Sequence, residues 1–517
     1  MRSVRLIKRL GIYLLVLTVA VIFMAGFVGQ AQAEEPRYGG ILKIIDLGGP
    51  RAPGWPSSSS GMEMIDLYPC LEPLTKLDEK GDPFPYLLTS WEYSSDLKSL
   101  TLNIRKGVKF HDGSDLNAEA VKMNLWERKD GVNGWELASI ASIDVIDEYT
   151  VRINLSVYKN VLLESFANFN GLMISPKVIE KAQTKKGKKW AKKNPVGTGP
   201  FKFVSFERDV MMKFEKFDQY WQKGKPYLDG IEAHYIANKL TQIMSLRGGE
   251  AHALWDAVVD KAVELEKEGF IIIGQPVSMR AIAGDSGHPE SIFANKKVRE
   301  AVEYAINRKE LTRLGHGWWE PVNQYASKKA NGYNPDLIGR PYNPERARQL
   351  LKEAGYPNGF KTKLIASVSD PRDALATIQR DLLKVGIDVK IEMYDSGKFF
   401  YTMIKGWKDG LCLFGQMSPV NLTQELNSLY IKGAARFPNL YRPTALQETL
   451  RKAETVPDLK EQKSLVQKAI RIMSDEAVVI PLWSRSELYV LHKSFHNPGF
   501  NGGRRGQWEP AGAWLSE

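Results

Sequence analysis

Two hydrophobic periods divide the chain. In its first third, apolar and polar positions alternate in short runs: Leu100, Leu102 and Ile104 interleave with Thr101, Asn103 and Arg105, and Tyr149, Val151, Ile153 and Leu155 repeat the spacing. A period of two buries one face of a strand and wets the other, so these segments predict a mixed or antiparallel sheet. "GGILKIIDL" (39–47) predicts an earlier strand, which breaks into a Gly/Pro-rich loop carrying Arg51 and Trp55.

The second half takes up the helical period. Val298, Ala301, Val302, Ala305 and Ile306 fall at i, i+3, i+4, i+7 and i+8, the stripe of an amphipathic helix. "NPERARQLLKEAGYP" (343–357) carries its own start and stop, with Asn343 as N-cap, Pro344 at the first helical position and Gly355 at the end. Ala347, Leu350, Leu351 and Ala354 form its buried stripe. "KTKLIASV" (361–368) predicts a strand, 373–385 a helix and "IDVKIEMY" (387–394) a second strand. Such a β-α-β unit favours a parallel pair with a right-handed crossover. A helix over 459–476 then leads to "AVVIPLW" (477–483), read as a short buried strand.

At 517 residues the chain exceeds one ordinary core, which predicts two or three domains, and 43% hydrophobic with 25% charged residues is the balance of a soluble globular protein. The first 33 residues stand apart. Arg2, Arg5, Lys8 and Arg9 precede an apolar run from Leu10 to Val28, and Ala31-Gln32-Ala33 is a small-residue cleavage site, the layout of a secretory signal cut after Ala33. The run approaches spanning length, so an uncleaved anchor is the alternative. No cysteine follows it to carry a lipid. Four of the 71 basic residues lie in this leader, which leaves 67 against 60 acidic, a mature surplus of +7. The densest basic stretch is "KKGKKWAKK" (185–193). With one aromatic it falls short of a nucleic-acid stacking platform and reads as a solvated helix face, so no nucleic-acid partner is expected.

Cys70 and Cys412 are far apart in sequence and read as buried free thiols. Seven histidines without Cys/His metal spacing give no metal site, and no cofactor is expected.

Six stretches together carry a family signature: "SWEYSSDLKSLTLNIRKGVKFHDGSDLNAEAV" (90–121), "NPVGTGPFKFVSF" (194–206), "FDQYWQKGKPYLDGI" (217–231), "NKKVREAVEYAINRKEL" (295–311), "YNPERARQLLKEAGYPNG" (342–359) and "VVIPLW" (478–483). In this order they resemble the extracytoplasmic solute-binding proteins of ABC importers, the dipeptide/oligopeptide/nickel-binding type known as family 5. The resemblance implies an α/β, two-lobed periplasmic-binding-protein fold (type II, cluster C-like) with an extra subdomain inserted in the first lobe. The expected partition is a signal peptide at 1–33, lobe I at 34–62, the inserted subdomain at 63–194, lobe I again at 195–278, lobe II at 279–482 and a return to lobe I at 483–517. Cys70 and Cys412 then fall in different lobes. The resemblance also implies a monomer in the periplasm that binds a small-molecule ligand and docks on permease subunits in the cytoplasmic membrane.

The most catalytic-looking spot is His111-Asp112-Gly113. Adjacent residues of an extended segment point to opposite faces, so His111 and Asp112 make a poor dyad, and Asp-Gly is a strong turn pair. The expectation is a structural junction, with His111 hydrogen-bonding locally, and no enzyme. "GTGPF" (197–201) lacks the Lys-Ser/Thr of a phosphate loop. Binding is the better reading, because a closing cleft uses amphipathic rings and shifts an open–closed equilibrium.

In peptide binders of the resembled family, a strand of lobe two ends in a Trp-x-x-Asp-x-x-Asp-Pro-like pattern whose acid pairs with the peptide amine. The corresponding text here is "GLCLFGQMSPVNLTQEL" (410–426), with Gln416 about where the tryptophan belongs and "SPVN" (418–421) in place of the acidic stretch. A buried amine without its carboxylate is very costly, so the ligand is expected to be a non-peptide organic solute, polar and neutral or anionic. Gln416, Met417 and Asn421 are its candidate neutral contacts, Arg51, Arg280 and Arg485 its candidate anion partners, and Trp55 and Trp483 its candidate ring contacts. The alternatives are a peptide or a metal chelate as ligand, a sensor or chaperone role for the same fold, and an exported hydrolase using His111.

Overall fold

The computed structural model describes residues 35–58, 64–131, 134–417, 421–431, 433, 436–500 and 508–516, so the leader at 1–33 lies outside them. From Tyr38 onward the chain forms one compact unit.

Its strands are β1 (Ile41–Asp46), β2 (Thr75–Leu77), β3 (Pro83–Pro85), β4 (Leu88–Tyr93), β5 (Ser99–Ile104), β6 (Ile140–Asp147), β7 (Thr150–Leu155), β8 (Phe201–Glu207), β9 (Met211–Lys216), β10 (Gly230–Tyr235) and β11 (Ala253–Leu254). They continue with β12 (Ile271–Gly284), β13 (Trp319–Pro321), β14 (Phe360–Ser367), β15 (Ile387–Tyr394), β16 (Gly410–Met417) and β17 (Ile480–Leu491). Among the described residues, eleven of them form one sheet in the order β15-β14-β16-β12-β17-β11-β1-β10-β9-β8, with β13 added on β17. A separate antiparallel sheet runs β4-β5-β7-β6. In it Leu100, Leu102 and Ile104 are buried while their neighbours are half-exposed, as the alternation predicts.

Four large apolar clusters follow this division. One fills the β8–β11 end of the long sheet, where Leu42, Phe201, Ile231 and Trp255 meet. A second lies beneath the separate sheet and packs Leu88, Leu102, Val151 and Phe110. The other two cover the β14–β16 end. One of these two holds the helices Lys296–Ala305, Pro344–Glu353 and Arg372–Leu383 against β14 and β16. β14 and β15 pair in parallel around the Arg372–Leu383 helix, as the β-α-β pattern requires.

The Pro344–Glu353 helix shows why local sequence suffices there. Asn343 Oδ1 accepts the Arg346 amide at 2.9 Å, Pro344 fills the first turn, and Gly355 leaves the helix at a φ of +92°. Leu350 and Leu351 are fully buried, each worth about 1.5–3 kcal/mol of apolar transfer.

The C-terminal strand differs from expectation. It runs twelve residues, Ile480–Leu491, and crosses from the β16 end of the sheet to β11. The polar run Ser484-Arg485-Ser486-Glu487 broke the apolar pattern on which the shorter strand was read. Its partner β12, fourteen residues long, crosses the same way. Cys70 and Cys412 are free and buried, as expected.

Candidate functional site

β12 and β17 are the two strands shared by both ends of the sheet. They pair from Ile271↔Leu491 to Ile282↔Ile480, and the register shifts twice, between Pro276 and Ser278 and between Arg280 and Ala281. Proline has no amide proton for the ladder, and each shift adds a residue on one strand, which bends and twists it locally. The two crossing strands are therefore irregular where one half of the molecule gives way to the other.

Five of the eight sequence-predicted residues assemble at this height. Arg280 stands opposite Trp483 on one side and Gly415 on the other, Gln416 opposite Met279, and both Met417 and Arg485 opposite Ser278. Trp483 is fully buried and stacks on Trp319 with ring centroids 5.1 Å apart. Arg280 reaches Asp370 Oδ1 at 3.2 Å, and Asp370 is wholly buried. Gly415 makes room for that guanidinium, since a Cβ there would lie 2.7 Å from Arg280 Nη1. Arg485 Nη2 lies 3.2 Å from Asp256 Oδ1. Both arginines thus already face carboxylates. Arg51 and Trp55 lie on the loop after β1. Arg51 is exposed, and its carbonyl accepts from Arg208. Trp55 is buried in the β8–β11 core with the Lys188 ammonium 5.4 Å over its ring.

From Met417 the chain passes through 418–420, which lie outside the described residues, and re-enters at Asn421. Asn421 Oδ1 accepts from Asn331 Nδ2 at 3.1 Å and from the Thr423 amide at 3.0 Å, and Asn331 Oδ1 accepts the Leu422 amide at 3.0 Å. This asparagine pair fixes the start of the Thr423–Tyr430 helix.

That helix carries what the sequence reading missed. Thr423, Gln424, Asn427 and Tyr430, at i, i+1, i+4 and i+7, are all buried. The Tyr430 hydroxyl donates to Gln416 Oε1 at 2.7 Å and ties the helix to the end of β16. Beyond that bond, Gln416 Nε2, Thr423 Oγ1, Gln424 Nε2 and both polar atoms of Asn427 have no hydrogen-bond partner among the described residues. Tyr325 packs edge-on to Tyr430 at 5.7 Å. Burial, with the neighbouring Tyr430 and then Glu425 adding to it, pushes the Tyr325 phenol well above its ordinary range, and burial raises Tyr430 likewise. Both hydroxyls are neutral at physiological pH. Glu425 is the first carboxylate after β16 in sequence, since none occurs from 410 to 424. A signal existed in "NLTQELN" (421–427), where amides occur inside a helix that also buries Leu422, Leu426 and Leu429.

His111 occupies a different place. Its bonds are not local: the backbone amide donates to the Gly197 carbonyl at 2.9 Å, and Nε2 lies 2.8 Å from the Gly199 carbonyl. The ring also meets Phe217 edge-on at 4.8 Å, and Nδ1 lies 3.7 Å from Cys70 Sγ. "KFHDG" is thereby buttoned onto "GTGPF", a contact between segments that no local pattern announces. Burial lowers the His111 imidazole to about 4 and raises the Cys70 thiol to about 12. A Cys–His nucleophile needs a thiolate and a basic imidazole, and both groups are shifted away from that pairing. Among the described residues, no group of three or more His, Cys, Asp or Glu side chains is placed to hold a metal ion, and no helix is long and apolar enough to cross a membrane.

The chain is similar to known proteins in sequence and in fold. Residues 82–428 match the family described as bacterial extracellular solute-binding proteins, family 5 Middle. The glutathione-binding protein GsiB of Pectobacterium atrosepticum is 33% identical over 318 residues, which is 60% of this chain and 61% of that protein. The periplasmic binding protein DppA of Helicobacter pylori, solved with the peptide STSA, is 26% identical, with a TM-score of 0.79 over 93% of this chain and 99% of its own. NikZ of Campylobacter jejuni, solved with Ni(L-His), shares the fold at 20% identity and a TM-score of 0.78, over 90% of this chain and 99% of that one.

Proposed function

The chain belongs to the bacterial extracellular solute-binding proteins of family 5, and on that premise we propose that it is the solute-capturing component of an ABC importer. It acts in the periplasm as a monomer, closes its two lobes over one small organic solute and presents the closed form to the membrane permease. No bond in the solute is made or broken. β12 and β17 serve as the hinge, and binding shifts the open–closed equilibrium by as much as the solute prefers the closed form.

One observation carries the assignment of the site: Gln416 Nε2, Thr423 Oγ1, Gln424 Nε2 and both polar atoms of the Asn427 amide are buried beside the β12–β16 pair with no hydrogen-bond partner among the described residues. Desolvating such groups without a hydrogen bond costs about 1–3 kcal/mol each, a cost that a solute offering complementary donors and acceptors offsets. Neutral groups recognise a neutral or anionic polar solute better than a free α-amine, and the arginines at the hinge already face Asp370 and Asp256. The solute is therefore a polar non-peptide compound. A second reading, glutathione or a similar γ-linked anionic peptide, is favoured by the GsiB relatives.

Small-angle scattering during titration with candidate solutes tests the mechanism, with mass spectrometry of the solute recovered afterwards. The radius of gyration should fall on binding, and the solute should return unaltered. Turnover of the solute, or binding without compaction, would overturn it.

A further inference from the structure

The surplus charge of the mature chain sits in one place. Residues 177–193 contain eight lysines and one glutamate, a local +7 that equals the +7 of the whole chain after the leader. The rest of the mature protein is balanced. Seven of these lysines are exposed and Lys192 is half-exposed; among the described residues none of the eight makes a close ion pair, although Lys177 Nζ reaches the Asp112 carbonyl at 3.4 Å and its charge contributes to lowering the Asp112 carboxyl.

The face is held in a fixed shape. It spans the Pro176–Lys181 and Lys185–Ala191 helices, whose near side is buried through Val178, Ile179, Ala182 and Ala191. Thr184 caps the second helix by accepting the Gly187 amide at 3.0 Å. Gly187 lies against the end of the first, where a Cβ would come within 1.7 Å of the Lys181 carbonyl. The Gly54 amide binds the Lys192 carbonyl at 3.2 Å and docks the far end on the loop after β1. Trp190 stands among the lysines with 37% of its surface exposed and the Lys181 ammonium 3.4 Å over its ring.

We propose that this face docks on a bilayer surface rich in anionic phospholipid headgroups. It rests on the reading that the chain is exported, and it is independent of which solute the cleft takes. The patch consists of lysines without a single arginine. Flexible ammonium point charges suit a fluid array of phosphates, whereas a partner of fixed geometry is better read by the planar guanidinium fork. Lysine stems can lie along the surface with their heads at the phosphates, and a half-exposed tryptophan beside them is the side chain that settles at the headgroup level. Clustered lysines add their attractions to an anionic leaflet, and the sum is screened by salt. A nucleic-acid partner would need several stacking rings where this face has one. The effect would be to keep the carrier near the permease by a weak, reversible contact.

The test is co-flotation of the mature protein with vesicles of phosphatidylcholine alone, or with about 30% phosphatidylglycerol, in low salt and in about 0.5 M salt. Binding to the anionic vesicles is expected to exceed binding to the neutral ones by roughly tenfold or more and to vanish in high salt. K185E/K186E/K188E/K189E should fall to the neutral-vesicle level with an unchanged melting temperature, and W190A should weaken binding several-fold. K460E/K463E/K468E, reversing exposed lysines on the Leu459–Asp475 helix, should bind as wild type. Equal binding to both vesicle types would overturn the proposal. So would full retention by the 185–189 variant, equal loss in the 460–468 variant, or capture by soluble polyglutamate with none by anionic vesicles. None of these results bears on solute binding by the same samples, so the two readings fail separately.

Discussion

The backbone amide of Asn160 donates to the carbonyl of Glu454 across 3.0 Å, joining the loop after β7 to the last turn of the Thr444–Thr455 helix. Asn160 Nδ2 reaches the Ala453 and Val456 carbonyls at 2.8 Å each, and Lys159 Nζ lies 2.9 Å from Glu454 Oε1. The loop leads out of the separate four-stranded sheet, and the helix packs in the core at the β16 end. One asparagine thus caps a helix belonging to the opposite half of the molecule, where the last carbonyls lack intrahelical partners.

Asn160→Ala removes two of these bonds at about 1 kcal/mol each and leaves two helix-end carbonyls without the donor. The arrangement in which this loop and helix touch should lose roughly tenfold or more in population, because 1.4 kcal/mol is a factor of ten. Electron–electron distance measurement between spin labels on the two lobes reads this directly. An unchanged distance distribution would show that the contact contributes nothing to that arrangement.

His111 should make stability depend on pH. Its imidazole titrates at about 4 in the fold, against an ordinary value near 6.5. Between those values the unfolded chain binds the extra proton, so stability rises with pH across the window. The contribution is complete above pH ~6.5 and is lost as the pH falls through 4, with a ceiling on the order of 3 kcal/mol. Melting curves from pH 7 to 4 should show the loss, and His111→Gln should flatten it while leaving solute affinity unchanged. A parallel pH profile in the variant would remove His111 as the cause.

The two thiols should be silent in the native protein. Burial raises Cys70 to about 12 and lifts Cys412 as well, so neither supplies thiolate near neutral pH. A colorimetric thiol reagent should count none before denaturation and two after it. Rapid native labelling of either would contradict the buried placement.

Asn427 separates stability from function. Both polar atoms of its buried amide lack partners among the described residues. Asn427→Leu keeps the size and removes an uncompensated polar group, so the solute-free protein should gain on the order of 1–3 kcal/mol. Affinity for the solute should fall tenfold or more if the amide is a contact. A variant that is stabler and binds undiminished would assign Asn427 to the core alone.

How much of this was legible depends on the range of each interaction. The cap at Asn343, the stop at Gly355 and the parallel β14–β15 pair follow from neighbours within a few residues, and the sequence pattern anticipates them. The full length of β17 is not legible because Ser484–Glu487 interrupt its apolar period where its register against β12 shifts. β12 was not anticipated, because Gly274, Gln275 and Pro276 break its pattern. The bonds of His111 to Gly197 and Gly199, and of Asn160 to Glu454, join segments far apart in the chain, and no periodicity encodes them. Trp55 and Trp483 looked like ring contacts because they flank loops, yet both are buried, and Trp483 is stacked on Trp319. The polar face of the Thr423–Tyr430 helix was written in the sequence as buried amides, a pattern that becomes informative only once burial is known.

The most direct measurement is a thermal-shift screen of the mature protein against simple dipeptides, glutathione, sugars, aromatic acids and metal chelates. A solute present at about 100 times its Kd stabilises by about 2.7 kcal/mol, a shift of several degrees. A shift with one polar non-peptide solute and none with simple dipeptides is the predicted result, whereas a shift with glutathione, whose γ-linkage leaves a free α-ammonium, selects the second reading over the first. A strong shift with ordinary dipeptides would contradict the assignment of Gln416–Asn427 as a site without an amine-binding acid.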